Sequence, residues 1–264
     1  VRRSSNKIKE FKVKPKVLAI IGLRSGSKSI KNKNISTFNG KPLFYWILKQ
    51  AKLSKYVDRI LISTDSVKYQ NLCKKYGAEV PFLRPKSISK DNSLEKDYLL
   101  HALNWLKVNE NYQPDIVTRL QATSPFQLKD DIDKSIKILI ENKTATSSMV
   151  GYRSSLSPHK ALQVDKKTGI IKNYFDKKKS LEIENRQKFA AAYYRSNIIT
   201  SRCSTLIQKR EQIGSKSFFI EIPEYRSIDI NSKFDLEIEN YLLVFDMKFR
   251  EDYSDDSMGV CIGP

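Results

Sequence analysis

From Pro15 onward the chain alternates short apolar runs with longer stretches in which apolar residues recur every three or four positions. Val17–Ile21 is an unbroken apolar run that predicts a buried strand, and residues 22–40 form a polar loop. Pro42–Ser54 predicts a helix, with Pro in its first turn and Leu43, Trp46, Ile47 and Ala51 on one face. The alternation repeats, with strands at Val57–Ser63, Val80–Leu83 and Ile116–Gln121 and helices at Val67–Tyr76, Leu94–Val108 and Asp130–Glu141. Strands separated by helices of about ten to fifteen residues make βαβ units, so the prediction is a three-layer α/β fold around a mostly parallel sheet. From Thr146 the rhythm changes to β-style alternation around basic turns such as Asp165-Lys166-Lys167-Thr168-Gly169, and the next clear amphipathic helix is Phe234–Phe249. We read 151–195 as a β-rich arm inserted in one domain spanning 16–250, with a basic leader (1–15) before it and an acidic tail (251–264) after it. No repeat of fixed period is present.

The chain has 264 residues, 40% hydrophobic and 29% charged, with nine Gly and nine Pro and a mean hydropathy of −0.49. That composition excludes fibrous and disordered classes and supplies a core. No apolar run approaches the ~18 residues of a membrane span, and no signal-peptide pattern opens the chain, so the expectation is a cytoplasmic protein with no membrane partner. Three scattered cysteines, Cys73, Cys203 and Cys261, argue against a disulfide framework. His101 and His159 are too isolated for a histidine metal site, so any metal must be held by carboxylates. His101 sits on an apolar helix face and reads as a packed residue rather than a catalyst.

The net charge is +19, and residues 221–264 carry 4 basic and 11 acidic residues, which concentrates the positive charge in the remainder. Such a field attracts nucleic acid, an anionic membrane surface or small phosphorylated substrates, and charge alone does not choose. A nucleic-acid binder predicts basic-aromatic motifs or a basic recognition helix, and neither is evident.

In a parallel sheet the first βα loop is where phosphates most often bind. Gly22-Leu23-Arg24-Ser25-Gly26-Ser27-Lys28-Ser29 misses GxxxxGK[ST] by one residue, Ser27 standing at the second Gly. No helical pattern follows its Lys, which disfavours a P-loop NTPase. What the loop supplies is Arg24, Lys28, Lys31 and Lys33 interleaved with small polar residues, the charge and exposed N–H groups a triphosphate needs. A solvated basic loop is the alternative reading.

The run from Ala19 to Ile35 resembles the opening signature A-I-I-P-A-R-x-G-S-K-G-I-P-x-K-N-I of the N-acylneuraminate cytidylyltransferases. The resemblance continues through Gly40-Lys41-Pro42-Leu43, Ser63-Thr64-Asp65-Ser66, Val80-Pro81-Phe82-Leu83-Arg84-Pro85, Asp91, His101-Ala102-Leu103 and Leu120-Gln121-Ala122-Thr123-Ser124-Pro125. It extends to Arg186-Gln187, Tyr194-Arg195-Ser196-Asn197 and Ser227-Ile228-Asp229-Ile230-Asn231, and so covers about residues 16 to 245. Several positions depart from the family pattern. Gly22 and Ala122 replace Pro, Ser29 and Ile198 replace Gly, and Asn231 replaces the second Asp of a metal-binding D-x-D.

The resemblance implies a Rossmann-like nucleotidyltransferase sheet with a dimerisation arm. The implied reaction has the anomeric hydroxyl of an acidic nine-carbon (nonulosonic) sugar attack the α-phosphorus of CTP and expel pyrophosphate, with Mg²⁺ as cofactor. It implies that Arg24, Lys28 and Lys33 hold the phosphates and that Asn34 and Arg84 help recognise the cytosine end. Gln121, Thr123, Ser124 and Asn197 would meet the sugar, while Asp229 and Asn231 would ligate Mg²⁺, with Asp229 also orienting the attacking hydroxyl. In this family the arm crosses to a partner subunit, so Arg186 and Gln187 would complete the sugar site of a homodimer. Residue by residue, plainer readings stand beside these: a strand-end turn for Gln121, a helix cap for Asp229, a surface ion pair for Arg186. A catalytically impaired relative that only binds nucleotide or sugar is the rival function.

Overall fold

The computed structural model describes residues 14–27, 29–175, 191–232, 234, 235 and 237. Its centre is a six-stranded sheet of β1 (Val17–Leu23), β4 (Arg59–Thr64), β5 (Ile116–Gln121), β6 (Ser147–Arg153), β9 (Tyr193–Arg202) and β10 (Ser217–Glu221), in the order β10-β6-β9-β5-β1-β4. The pairs β1–β4, β1–β5 and β6–β10 are parallel, and β9 runs antiparallel to both its neighbours. The sheet is therefore mostly parallel, as the alternating pattern predicts. Two further hairpins stand apart from it, β2 (Thr37–Phe38) with β3 (Lys41–Pro42) and β7 (Leu162–Val164) with β8 (Ile171–Asn173).

Side chains alternate along β1, and both faces are buried. Val17, Ala19, Ile21 and Leu23 pack with α1 (Leu43–Leu53), α2 (Val67–Lys75) and α4 (Lys129–Glu141) through Phe44, Ile47, Tyr69, Cys73, Ile132 and Ile136. Leu18 and Ile20 face the opposite layer, α3 (Glu95–Glu110) and α5 (Cys203–Lys209), through Leu99, Leu103, Leu106 and Leu206. Helices on both faces of a parallel sheet are the reason β1 reads as an unbroken apolar run. The helix starts follow local chemistry: the Ser66 hydroxyl accepts from the Tyr69 N–H, and the carboxylates of Asp97 and Asp131 accept from the N–H groups of Leu94 and Leu128.

Three expectations are corrected. Val80–Leu83 is no full strand. Single bridges join Glu79 to Leu61 and Leu83 to Thr64, and Pro81 between them has no N–H with which to extend a ladder. The arm is shorter than 151–195, because its two ends are core strands: residues 151–153 close β6, and residues 193–195 open β9 beside them. Within it, the described residues form the β7–β8 hairpin, turned by the Asp165 carboxylate accepting from the N–H groups of Lys167 and Thr168. The seven-residue helix α5 also precedes the expected closing helix. That closing helix, Phe234–Phe249, lies outside the described residues apart from 234, 235 and 237, as do most of the leader and all of the acidic tail. Among the described residues no helix is long and apolar enough to cross a membrane.

Candidate active site

The register of the sheet places Gly22 between Ser63 of β4 and Gln121 of β5, so three strands end side by side. The loops leaving them enclose a cleft of about 500 Å³ lined by Arg24, Ser27, Lys33, Asn34, Arg84, Asp91, Glu95, Tyr98, Gln121 and Thr123, among others. Gly22 at its floor allows a close approach: a Cβ there would sit 2.8 Å from the Tyr98 ring. The family's Pro at this position would meet the same ring, so Gly22 and Tyr98 go together in this chain.

The loop after β1 is shaped by its own polar residues. The Asp65 carboxylate accepts from both the backbone N–H and the hydroxyl of Ser25, each at 2.9 Å, which ties the loop to the end of β4. The Asn34 amide donates to the Arg24 carbonyl at 2.9 Å, and Asn32 adopts the left-handed conformation that Asn tolerates, with the Tyr69 hydroxyl donating to its side chain. These bonds pre-form a cationic loop. Arg24 reaches across the cleft to Asp91 (2.5 Å). Lys33 is half-buried, and its ammonium donates to Asn231 Oδ1 at 3.0 Å. Burial lowers the Lys33 pKa below its ordinary value, against the pull of Asp229 and Asp235.

On the opposite wall Arg84 is almost wholly buried. Its Nε donates to the Ser63 hydroxyl and its Nη2 to the Ser63 carbonyl, and the guanidinium lies 4.4 Å from the centre of the Tyr98 ring. Burial lowers the Arg84 pKa and pushes the Tyr98 phenol up to about 12, so Tyr98 enters the cleft as a neutral donor. Gln121 reaches the cleft from the end of β5, its Nε2 donating to Glu95 Oε1 at 2.5 Å.

The segment carrying Asp229 is brought in by one main-chain bond, from the Ile230 N–H to the Thr123 carbonyl at 2.8 Å, and by Ile230 itself packing among Phe38, Trp46 and Phe126. Asp229 Oδ2 accepts from Asn231 Nδ2 at 2.8 Å, while Asp229 Oδ1 is buried with no hydrogen-bond partner among the described residues. An amide between an ammonium and a carboxylate has one sensible orientation, oxygen to Lys33 and nitrogen to Asp229.

Six sequence-predicted residues thus share the cleft wall: Arg24, Lys33, Asn34, Arg84, Gln121 and Thr123. Asp229 and Asn231 stand at its edge through Lys33. Ser124 is fully buried and accepts from the Asn197 amide, so these two support the wall rather than form it. Ile198 is in the core cluster, on the side of β9 away from Asn197. Lys28, Arg186 and Gln187 lie outside the described residues. His101 packs edge-on against Phe82, and burial with the nearby Arg84 charge lowers its pKa, as a packed histidine requires.

Glu95 and Tyr98, which line the cleft, and Arg119, which pairs with Glu95 at 2.7 Å behind it, were not legible in the sequence. Glu95 reads as an ordinary first-turn acid and Tyr98 as helix core, and nothing in the alternation of β5 marks Arg119. Among the described residues no group of three or more Asp, Glu, His or Cys side chains clusters as a metal site.

The chain is similar to known proteins over most of its length. The profile of the cytidylyltransferase family matches residues 18–230. The N-acylneuraminate cytidylyltransferase of Escherichia coli O18:K1:H7 is 26% identical over 228 residues, covering 86% of this chain and 52% of its own. The pseudaminic acid cytidylyltransferase of Campylobacter jejuni serotype O:2 is 35% identical over 129 residues, 49% of this chain and 55% of its own. The alignment with each spans about half of that relative's length. The structure of a CMP:2-keto-3-deoxy-manno-octonic acid synthetase complexed with CTP superposes with a TM-score of 0.64 at 14% identity, covering 87% of this chain and 98% of that one. At that identity the superposition speaks for the fold.

Proposed function

From the premise that the chain belongs to the cytidylyltransferase family, we propose that it transfers CMP from CTP to a nonulosonic acid and releases pyrophosphate. The observation that carries this reading is the cleft itself. Arg24, Lys33 and Asn34 from the loop after β1 face Gln121 and Thr123 from the end of β5, with buried Arg84 and Tyr98 between them. A pre-formed cationic loop suits a triphosphate, since its donors are already aimed where charge redistributes as pyrophosphate leaves. Lys33 and Arg24 stabilise that charge, and Arg24 must leave Asp91 to do so. Arg84 and Tyr98 hold the cytosine end, and Gln121 and Thr123 hold the sugar. Asp229 orients the attacking hydroxyl.

Asp229 Oδ1 is a carboxylate oxygen beside the cleft that is buried with no hydrogen-bond partner among the described residues, and it is a hard oxygen donor of the kind Mg²⁺ takes. The residues therefore fit the ion through Asp229 alone, because the Asn231 oxygen is already held by Lys33. The ion, when bound, would polarise phosphate oxygens and offset their charge. The apolar side chains exposed on and beside the β7–β8 hairpin, Leu162, Val164, Ile170, Ile171, Tyr174 and Phe175, support a homodimer in which Arg186 and Gln187 approach the partner's sugar. The reaction belongs in the cytoplasm, where CTP is made.

Pyrophosphate release tests the function directly. With Mg²⁺, CTP and N-acetylneuraminate, pseudaminate or N,N′-diacetyllegionaminate in turn, at least one acid should support turnover, and ATP or GTP in place of CTP should not. Silence with all three acids would remove the reading.

A further inference from the structure

A charged side chain in the middle of a central strand needs a reason. Arg119 lies on β5 in register with Ile20 of β1 and Ile199 of β9, and its side chain is 3% exposed. A buried guanidinium is tolerable only when paired, and its partner is Glu95, with Nη1 to Oε1 at 2.7 Å. Strand residues two apart point to one face, so Arg119 and Gln121 both face the layer that contains α3. Glu95 is the first residue of α3, where the helix dipole favours a carboxylate. Both β5 side chains converge on the same oxygen of Glu95.

An ionised carboxylate only accepts, so Gln121 must turn its NH₂ toward Glu95. The opposite orientation would set a carbonyl oxygen against a carboxylate oxygen. Gln121 Oε1 is thereby directed away from Glu95, and among the described residues it accepts no hydrogen bond, although Gln121 lines the cleft. We propose that Glu95 and Arg119 are positioning residues that lock the Gln121 amide with its carbonyl offered to the cleft. The sugar is then selected at this point by a hydrogen-bond donor, a hydroxyl or the N–H of an acylamino group, and not by its carboxylate. The Glu95 carboxylate, 41% exposed beside Gln121, adds repulsion against a sugar carboxylate bound in that place. The lock is a property of the free protein, whereas its consequence for the sugar rests on the function proposed above.

Two measurements test it separately. In free wild-type protein one Gln121 side-chain N–H should be shifted downfield and protected from exchange, and Glu95→Leu, which removes the acceptor, should abolish both effects. An unshifted amide, or one indifferent to Glu95→Leu, overturns the lock whatever the reaction is. In steady-state assays with whichever of the three acids wild type turns over, Glu95→Leu should raise the sugar KM about tenfold while leaving the CTP KM within about twofold, since one hydrogen bond to the sugar is misplaced.

Glu95→Gln should keep the sugar KM within about twofold of wild type, because Arg119 only donates and so holds the new amide oxygen where Gln121 also donates to it. Gln121→Met, which removes the acceptor and spares the buried pair, should match the KM of Glu95→Leu and serves should that variant fail to fold. A fall in kcat with an unchanged sugar KM would make Glu95 a proton acceptor and overturn the positioning role. If no acid is turned over, the proposed function falls and the amide resonance alone decides the lock.

Discussion

Lys33 shows how one side chain carries several duties at once. Its ammonium touches Asn231, feels Asp229 and Asp235, and lies half-buried at the rim of the cleft. Removing such a preorganised cation typically costs about a hundredfold in turnover, so Lys33→Ala should lower kcat by about that factor with an unchanged melting temperature. Pyrophosphate release and calorimetry on the same sample check both halves. His101 makes the pH prediction. Its pKa is lowered by burial first and by Arg84 second, so the unfolded chain binds its proton more readily than the fold does. The neutral ring costs nothing above the unfolded value near 6.5. As pH falls through that value the unfolded state gains a proton that the fold resists, and stability declines. Urea unfolding at pH 7 and pH 5 should show a smaller loss for His101→Phe than for wild type. Equal losses would place the proton uptake elsewhere.

At the scale of elements, what holds Asp229 in place is a chain of contacts between separate parts of the fold. Arg226, in the turn Glu224–Ser227, pairs with Asp131 at 3.1 Å, and Asp131 is wholly buried while also accepting from the Leu128 N–H at the start of α4. Burial raises the Asp131 pKa although Arg226 pulls it down, a sign that desolvation of this carboxylate is costly. Breaking a buried pair by removing one partner usually costs about 3–5 kcal/mol. Asp131→Ala should lose stability on that scale in urea titrations and should weaken catalysis as well, because the Asp229 segment loses an anchor. Only the first effect is expected of a core truncation such as Ile136→Ala, whose cost of about 2–5 kcal/mol comes from a cavity between α4 and the sheet.

For the whole molecule, the apolar hairpin β7–β8 stands off the main sheet with side chains that one chain leaves exposed. A homodimer should therefore be present at micromolar concentration, and Val164→Asp with Ile171→Asp should shift the mass measured by light scattering to the monomer. A monomeric wild type with full activity would end the claim that two subunits share a site. The net charge of +19 adds a prediction of rate: attraction of CTP should make kcat/KM for CTP fall as salt rises, more steeply than kcat.

Much of this protein follows from local pattern. The apolar run at Val17–Ile21, the helix faces around Leu43 and Ile132 and the βαβ alternation depend on neighbours in sequence, so the layered fold and the cationic loop after β1 are readable directly. The motif residues that resemble the family, including Arg24, Lys33, Asn34, Arg84 and Gln121, are readable for the same reason. What only the tertiary structure decided is which distant groups meet. Pro81 denied Val80–Leu83 its ladder, and the arm's ends were taken into the sheet because β9 pairs with strands far from it in sequence. Glu95 and Arg119 are 24 residues apart and carry no local signature, and their meeting at Gln121 depends on where α3 begins relative to the end of β5. Long-range pairing of this kind is set by how the layers pack, and a one-dimensional pattern does not encode it.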